Sequence, residues 1–256
     1  MIREIWQYLT TPVAFSYVRN KGFLKEAIAM AARARRCRRQ WDKHYRYCEQ
    51  TIVNAAKDLD HRHTVLIIGA GSLRDVPLDY LARHFEQVLL VDLVFLKAAR
   101  RQAAVYTNVQ LIEHDVTESL EDIFDGDPSI HKPSRWLDDE QVDLVVSLNL
   151  ITQLPLIPVR QLIVNNRISE HQADEIGRKL IRAHLDYLQR FPGRVCLIAD
   201  RESVEYNVYD EETDRLDTWW EVEAPSEEES WDWELIPFGE GRANRRQINR
   251  VAVSIL

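Results

Sequence analysis

The sequence has three cysteines in 256 residues, Cys37, Cys48 and Cys196. No two stand in C-x-x-C spacing, which argues against a disulfide framework and against a thiolate zinc site. No apolar run reaches the ~18 residues expected of a membrane-spanning helix. Met1-Ile-Arg-Glu-Ile-Trp-Gln lacks the basic-then-apolar plan of a secretory signal, so a soluble cytoplasmic protein without membrane partners is expected. A G-x-x-x-x-G-K-[ST] phosphate loop is missing, and no internal repeat is visible. His61-Arg-His63 sets two imidazoles two residues apart with no ligand set near them, and no metal is expected. Bases are nearly absent from residues 202–234, where fourteen acids face the single Arg215.

What is present describes a globular chain. Hydrophobic residues make up 45% and charged residues 29%, enough for a real core. The net charge of −8 is uneven, because residues 1–60 hold twelve Lys+Arg against six Asp+Glu. The basic and acidic blocks either face each other within the molecule or each face a partner.

Residues 1–58 read as a helical extension. Thr11-Pro12 suits a cap and first-turn proline, and Lys21-Gly22 suits a stop. From Leu24 to Ala55 apolar residues recur every three or four positions, predicting one long helix with a single buried stripe. Arg33, Arg35, Arg36, Arg38 and Arg39 flank that stripe among Trp41, His44, Tyr45 and Tyr47. Such a helix can meet nucleic acid or a second subunit. A docked stripe with a wetted arginine flank fits the acidic chain better.

Beyond residue 59 strand-like and helix-like segments alternate. Strands are expected at 64–69, 87–92, 109–114, 142–149, 194–199, 233–237 and 247–255, and helices at 74–84, 94–105 and 169–190. The last of these helices carries Ser169 as N-cap and the stripe Ile176, Leu180, Ala183 and Tyr187. The expected fold is α/β: a doubly wound, mostly parallel seven-stranded sheet over 59–256 with an antiparallel C-terminal strand and the helical extension in front. Residues 201–231 read as a hairpin in preference to a frayed helix, and 224–230 as a solvated loop. The most informative stretch is Thr64-Val-Leu-Ile-Ile-Gly-Ala-Gly71, followed by Val88-Leu-Leu-Val-Asp92. Glycines at the tip of one strand let a ligand approach the backbone, and an acid at the tip of the next can accept from both hydroxyls of a ribose. Arg74 stands where a dinucleotide fingerprint wants its third glycine.

From about residue 60 the sequence resembles the class I S-adenosylmethionine-dependent methyltransferases. Val65 to Gly71 is similar to their glycine-rich first motif, which implies cofactor contacts from Gly69, Ala70 and Gly71. Asp92, with Leu93 after it, matches the ribose-binding acid. Glu113-His-Asp115-Val116 matches the end of the third strand, where the resemblance implies that Asp115 and the Val116 N–H meet adenine. Asp143 to Asn149 matches the fourth strand, whose tip faces the transferring methyl. The paired segments 233–237 and 247–254 suit the family's antiparallel seventh strand, inserted beside the sixth. The family commonly places an acid where Ile67 stands here, and Asp75 is the nearby substitute.

Ligands of such sheets sit beyond the carboxyl ends of the strands. That places Asn149 to Leu154, Asp200 to Glu205 and the turn 239–246 beside the cofactor. Gln153, His171 and Arg242 are the polar groups offered to an acceptor, the alternative for each being a surface or capping role. Asp115 could instead cap the next helix, and Asn149 could be structural. Asn149-Leu-Ile-Thr-Gln-Leu-Pro155 lacks the Asn/Asp-Pro-Pro-aromatic tetrad of enzymes that methylate adenine and cytosine amino groups. The acidic, Trp-rich 202–234 stretch would repel a polyanion and favour an amine if it lined the entrance, and do neither at the opposite end of the sheet. The reading is methyl transfer from S-adenosylmethionine to a small molecule, with the N-terminal helices as a lid. A non-catalytic binding module and a nicotinamide-dependent oxidoreductase are the alternatives.

Overall fold

A computed structural model describes residues 2–164, 168–242 and 244–256. Ala243, in the turn singled out above, lies outside them. Nine helices are described in chain order: α1 (Ile2–Thr10), α2 (Ser16–Asn20), α3 (Phe23–Arg36), α4 (Arg38–Lys57), α5 (Leu78–His84), α6 (Lys97–Ala103), α7 (Leu120–Asp125), α8 (Leu156–Val164) and α9 (Glu170–Leu188). The strands are β1 (Thr64–Ile68), β2 (Gln87–Asp92), β3 (Val109–Glu113), β4 (Val142–Leu148), β5 (Arg194–Asn207), β6 (Glu212–Asp217), β7 (Glu229–Ile236) and β8 (Arg245–Ile255).

The sheet runs β3-β2-β1-β4-β5-β8-β7, with β6 pairing onto β5. Strands β1 to β5 are parallel, and β8 is antiparallel to both β5 and β7. As the resemblance to class I methyltransferases implies, the last strand is antiparallel and inserted beside the strand before it, with β8 between β5 and β7. One strand more than expected is present. The 194–199 strand continues to Asn207 and turns back as β6, so the hairpin read in 201–231 is an outgrowth of the sheet. The central strands are apolar on both faces because both are covered. Val65 and Ile67 pack with α4, α5 and α6, whereas Leu66 and Ile68 pack with α9.

The N-terminal region departs from the expected single long helix. The chain breaks at Cys37 (φ −92°, ψ 21°), which ends α3 and begins α4. The apolar spacing runs unbroken through the break, yet its two halves face different partners. Leu24 and Ile28 join a cluster with α7, α8 and the start of α9, while Trp41, Cys48 and Ile52 lie on the sheet. Thr11-Pro12 does not start a helix either. The Thr11 N–H closes α1 on the Gln7 carbonyl, and Arg19 Nη2 donates to the Thr11 carbonyl at 2.9 Å. Ser169 caps α9 as expected, in a reciprocal pair with Gln172.

Among the described residues the charge blocks form no ion pair with each other, although α4 packs on β7 and Trp41 Nε1–H donates to the Glu234 carbonyl. Arg35 pairs with Glu4, and Arg33 and Arg36 with Glu240. The acidic block finds its bases largely on β8: Arg245 meets Glu205, Arg246 meets Asp210 and Glu234, and Arg250 meets Glu227.

Candidate functional site

Gly69 ends β1 with φ +88°, and a β-carbon there would stand 2.5 Å from the Leu148 carbonyl oxygen. The loop therefore crosses the end of β4 at a distance only glycine permits. Two residues on, a β-carbon on Gly71 would meet Asp92 Oδ2 at 2.9 Å. The Gly71 N–H donates to that same oxygen at 2.9 Å, and the Val94 N–H donates to Oδ1 at 3.2 Å. Burial raises the Asp92 carboxyl to about 6, against the lowering effect of the Val94, Gly71 and Leu93 N–H groups. A carboxylate offers about four lone-pair directions, so acceptor capacity remains.

These groups wall a cavity of about 280 Å³ at the carboxyl ends of β1, β2 and β4. Gly69, Gly71, Asp92, Leu93, Asp115, Val116, Asn149 and Gln153 all line it. Ala70 is buried behind them, its N–H on the Val91 carbonyl. From α3 and α4, which the sequence reading offered as a lid without naming the residues that face the ligand, come further walls, among them Met30, Trp41, His44 and Tyr45. Their signal was the aromatic flank of the stripe.

Asp115 caps rather than waits. Its Oδ1 accepts from the N–H and hydroxyl of Thr117, and its Oδ2 from the N–H groups of Ser119 and Leu120. Four donors fill the carboxylate's acceptor directions and fix the turn into α7. Asn149 sits at the tip of β4 with φ +50°, a left-handed conformation that Asn tolerates better than most residues. Its Nδ2 lies 3.1 Å from Asp75 Oδ2 and 3.3 Å from His44 Nε2, while Gln153 donates to its backbone carbonyl at 2.6 Å. Desolvation pushes Asp75 up to about 6 and His44 down to about 3.

His44 is stacked on Trp233 with ring centroids 3.9 Å apart, and its Nδ1 accepts from Trp231 Nε1–H at 3.1 Å. A neutral imidazole accepts at one nitrogen only, so Trp231 and the Asn149 amide compete for it. The amide donates to Asp75 Oδ2 instead, and the Nε2–H is left to Cys48 Sγ at 3.7 Å. His44, Cys48 and Asp75 bring three ligand-type atoms within 4.8 Å of one another, a grouping that sequence spacing did not suggest. Because the Nδ1 lone pair is taken by Trp231, a cation at Nε2 would have to displace the ring proton.

A second cavity of about 600 Å³ adjoins the first and shares Glu26, Met30, Gln153, Ile157 and Trp233 with it. The acidic, Trp-rich stretch lines it through Asp217, Trp220, Glu221 and Trp233, so that stretch lies at the ligand edge. His171 and Arg242 line neither cavity and are exposed. Ala173, Ile176 and Leu180 take the buried face of α9, leaving His171 to solvent. Arg242 lies in the β7–β8 turn, past the point where β8 pairs with Asn207.

No protein-family model matches the chain, and no curated protein sequence matches it. Solved structures do. Phosphoethanolamine N-methyltransferase 1 of Haemonchus contortus, in complex with phosphoethanolamine and S-adenosylhomocysteine, is 17% identical over 63% of this chain with a TM-score of 0.38. The match covers 27% of that enzyme, so this chain spans about a quarter of its length. The N-methyltransferase NodS of Bradyrhizobium japonicum, in complex with S-adenosylhomocysteine, is 11% identical over 81% of this chain and 85% of its own, at a TM-score of 0.37. The 1,6-didemethyltoxoflavin-N1-methyltransferase of Burkholderia thailandensis is 16% identical over 90% of this chain and 89% of its own, at 0.35.

Among the described residues no helix is long and apolar enough to cross a membrane.

Proposed function

We propose that the chain is an S-adenosylmethionine-dependent methyltransferase acting on a small molecule. The observation that carries this reading is the half-buried Asp92 carboxylate, held against the Gly71 backbone at the tip of β2 and facing a cavity roofed by α3. The residues present fit the cofactor. Asp92 retains an acceptor position for a ribose hydroxyl, Leu93, Val94, Leu96 and Leu120 offer apolar walls to a base, and Gly69 and Gly71 line the cavity with backbone. Asp75 takes the role of the acid that Ile67 replaces, since it lines the same cavity and Ile67 is wholly buried in the sheet. Asp115 contributes by fixing the loop that carries Val116.

When bound, the cofactor supplies a methyl group on a sulfonium whose departure leaves a neutral thioether. The chain then has to orient an acceptor and exclude water. Helix α3 closes both cavities from above, through Glu26 and Met30, and is tied to the β7–β8 turn by Glu240. Its arginines are engaged within the molecule, and acids line the second cavity, which supports a small acceptor over a polyanion.

Calorimetric titration with S-adenosylhomocysteine and with NADH tests the reading. Micromolar binding of the thioether nucleoside alone, weakened at least about tenfold in Asp92→Ala, is the expected result. Failure to bind it, or tighter binding of NADH, overturns the proposal.

A further inference from the structure

The second cavity contains a carboxylate that the described residues satisfy at one oxygen and not at the other. Asp200 stands where β5 ceases to be the parallel neighbour of β4 and becomes the base of the hairpin. It is 6% exposed and lines the cavity. Its backbone carbonyl is pinned by Trp219 Nε1–H at 2.7 Å and by the Thr218 hydroxyl at 3.0 Å, so the strand cannot turn the side chain away. Asn249 hydrogen-bonds to the carboxylate. Gln247 Nε2 in turn donates to Asn249 Oδ1 at 3.1 Å and to the Ser203 hydroxyl at 2.8 Å. Asp200 Oδ1 has no partner, and neither has the indole N–H of Trp233, the residue that walls both cavities. Buried polar groups are nearly always paired in native proteins, so an orphaned carboxylate oxygen beside a cavity marks the place of a donor from outside the chain.

The surroundings choose among donors. Asp174, Asp217 and Glu221 also line the cavity. Its two bases are already engaged, Arg160 by Glu26 and Arg178 by Glu221. An anionic acceptor would meet uncompensated carboxylates, whereas a cationic nitrogen would meet a carboxylate oxygen among the aromatic faces of Trp220 and Trp233. We propose that the second cavity is the methyl-acceptor site and that it takes a primary or secondary amine, the nitrogen held by Asp200 Oδ1. This rests on the methyltransferase reading and names its substrate class.

The chemistry balances without a further reagent. The bound ammonium first gives a proton to Asp200 Oδ1, which passes it to solvent; the neutral amine's lone pair then forms the N–C bond while the C–S bond breaks, and sulfur keeps the pair from that bond. The methylated nitrogen then carries one proton too many, which passes to Asp200 Oδ1 and on to solvent. A hydroxyl acceptor would also reach Asp200, but it would gain nothing from the surrounding acids.

The test uses three probes of matched shape, 2-phenylethylamine, 2-phenylethanol and phenylacetate, titrated calorimetrically into the full chain with and without S-adenosylhomocysteine. The amine is expected to bind at least about tenfold more tightly than the alcohol, and phenylacetate least tightly. In Asp200→Asn the amine should fall to the level of the alcohol while S-adenosylhomocysteine binds as in the wild type. Asp200→Ser is read in the same way if Asp200→Asn fails to fold. Equal binding of the three probes, no binding of any up to about 10 mM, or full amine affinity in a folded Asp200 variant overturns the proposal. Failure of the methyltransferase reading shows separately, as a wild-type chain that ignores S-adenosylhomocysteine whatever the amine does.

Discussion

The two cavities share a wall but differ in how their carboxylates are held. In the first, Asp92 accepts from backbone N–H groups and Asp75 from the Asn149 amide. In the second, Asp200 has one oxygen with no partner. The first is built largely from strand tips and the loops directly after them, so Asp92 is oriented by backbone that the sheet fixes. The second is assembled from α8, α9, the β5–β6 hairpin and β7, and its acid is oriented by side chains of β8. Backbone-held acids suit a ligand whose shape does not vary. A side-chain relay suits a pocket whose occupant is particular to this chain.

The sharpest way to break that contrast is at Gly69. A β-carbon at φ +88°, 2.5 Å from the Leu148 carbonyl, has nowhere to go. Gly69→Ala is expected to lose about 2–4 kcal/mol of stability in urea denaturation, and an unchanged midpoint would show that the loop is slack.

The next effect concerns pH. Desolvation raises Asp200 from 3.8 to about 6, so the folded state binds its proton more tightly than the unfolded state does. Its ionisation therefore costs stability progressively as pH rises from about 4 to 6, and the full cost, on the order of 3 kcal/mol, stands above pH 6. Asp200→Asn should raise the thermal midpoint at pH 8 and lose that advantage below about pH 4. A variant no more stable than wild type at pH 8 would mean that the carboxylate is well solvated or paired.

A double dissociation sharpens the comparison further. Asp75→Asn should weaken S-adenosylhomocysteine roughly tenfold and leave 2-phenylethylamine alone, the mirror of the Asp200 variant, in parallel titrations. Smallest is the clasp of Glu240 on Arg33 and Arg36. Glu240→Gln should cost about 0.5–1 kcal/mol and speed S-adenosylhomocysteine dissociation a few-fold in stopped flow. An unchanged off-rate would mean that α3 does not gate the cavity.

Much of the first cavity was legible because its signals are local. An apolar run, two glycines and an acid at the next strand's tip lie within thirty residues, and each does its work where the chain places it. Asp115 was legible in two ways, and its neighbours Thr117, Ser119 and Leu120 decided for the cap. The second cavity was legible only in outline, as a ligand edge beyond Asp200 that the acidic stretch could line. Asp200 looked like the end of a strand, and only the continuation of β5 to Asn207 encloses it. The break at Cys37 was hidden for a related reason: periodicity records that a face is buried but not against what. His171 and Arg242 illustrate the reverse, polar residues of suitable chemistry on elements whose buried faces look elsewhere.

The place of β8 between β5 and β7 also orders events during synthesis. Strands β1 to β4 and the Gly71–Asp92 contact are complete within the first 150 residues, whereas the Asn249 and Gln247 relay must wait for β8 to leave the ribosome and slide between two earlier strands. A nascent chain can thus assemble the Gly71–Asp92 side of its first cavity long before the second can close. Limited proteolysis of chains arrested at Asp217 would register this as early protection of β1–β4, and uniform susceptibility would show that the sheet closes in one step.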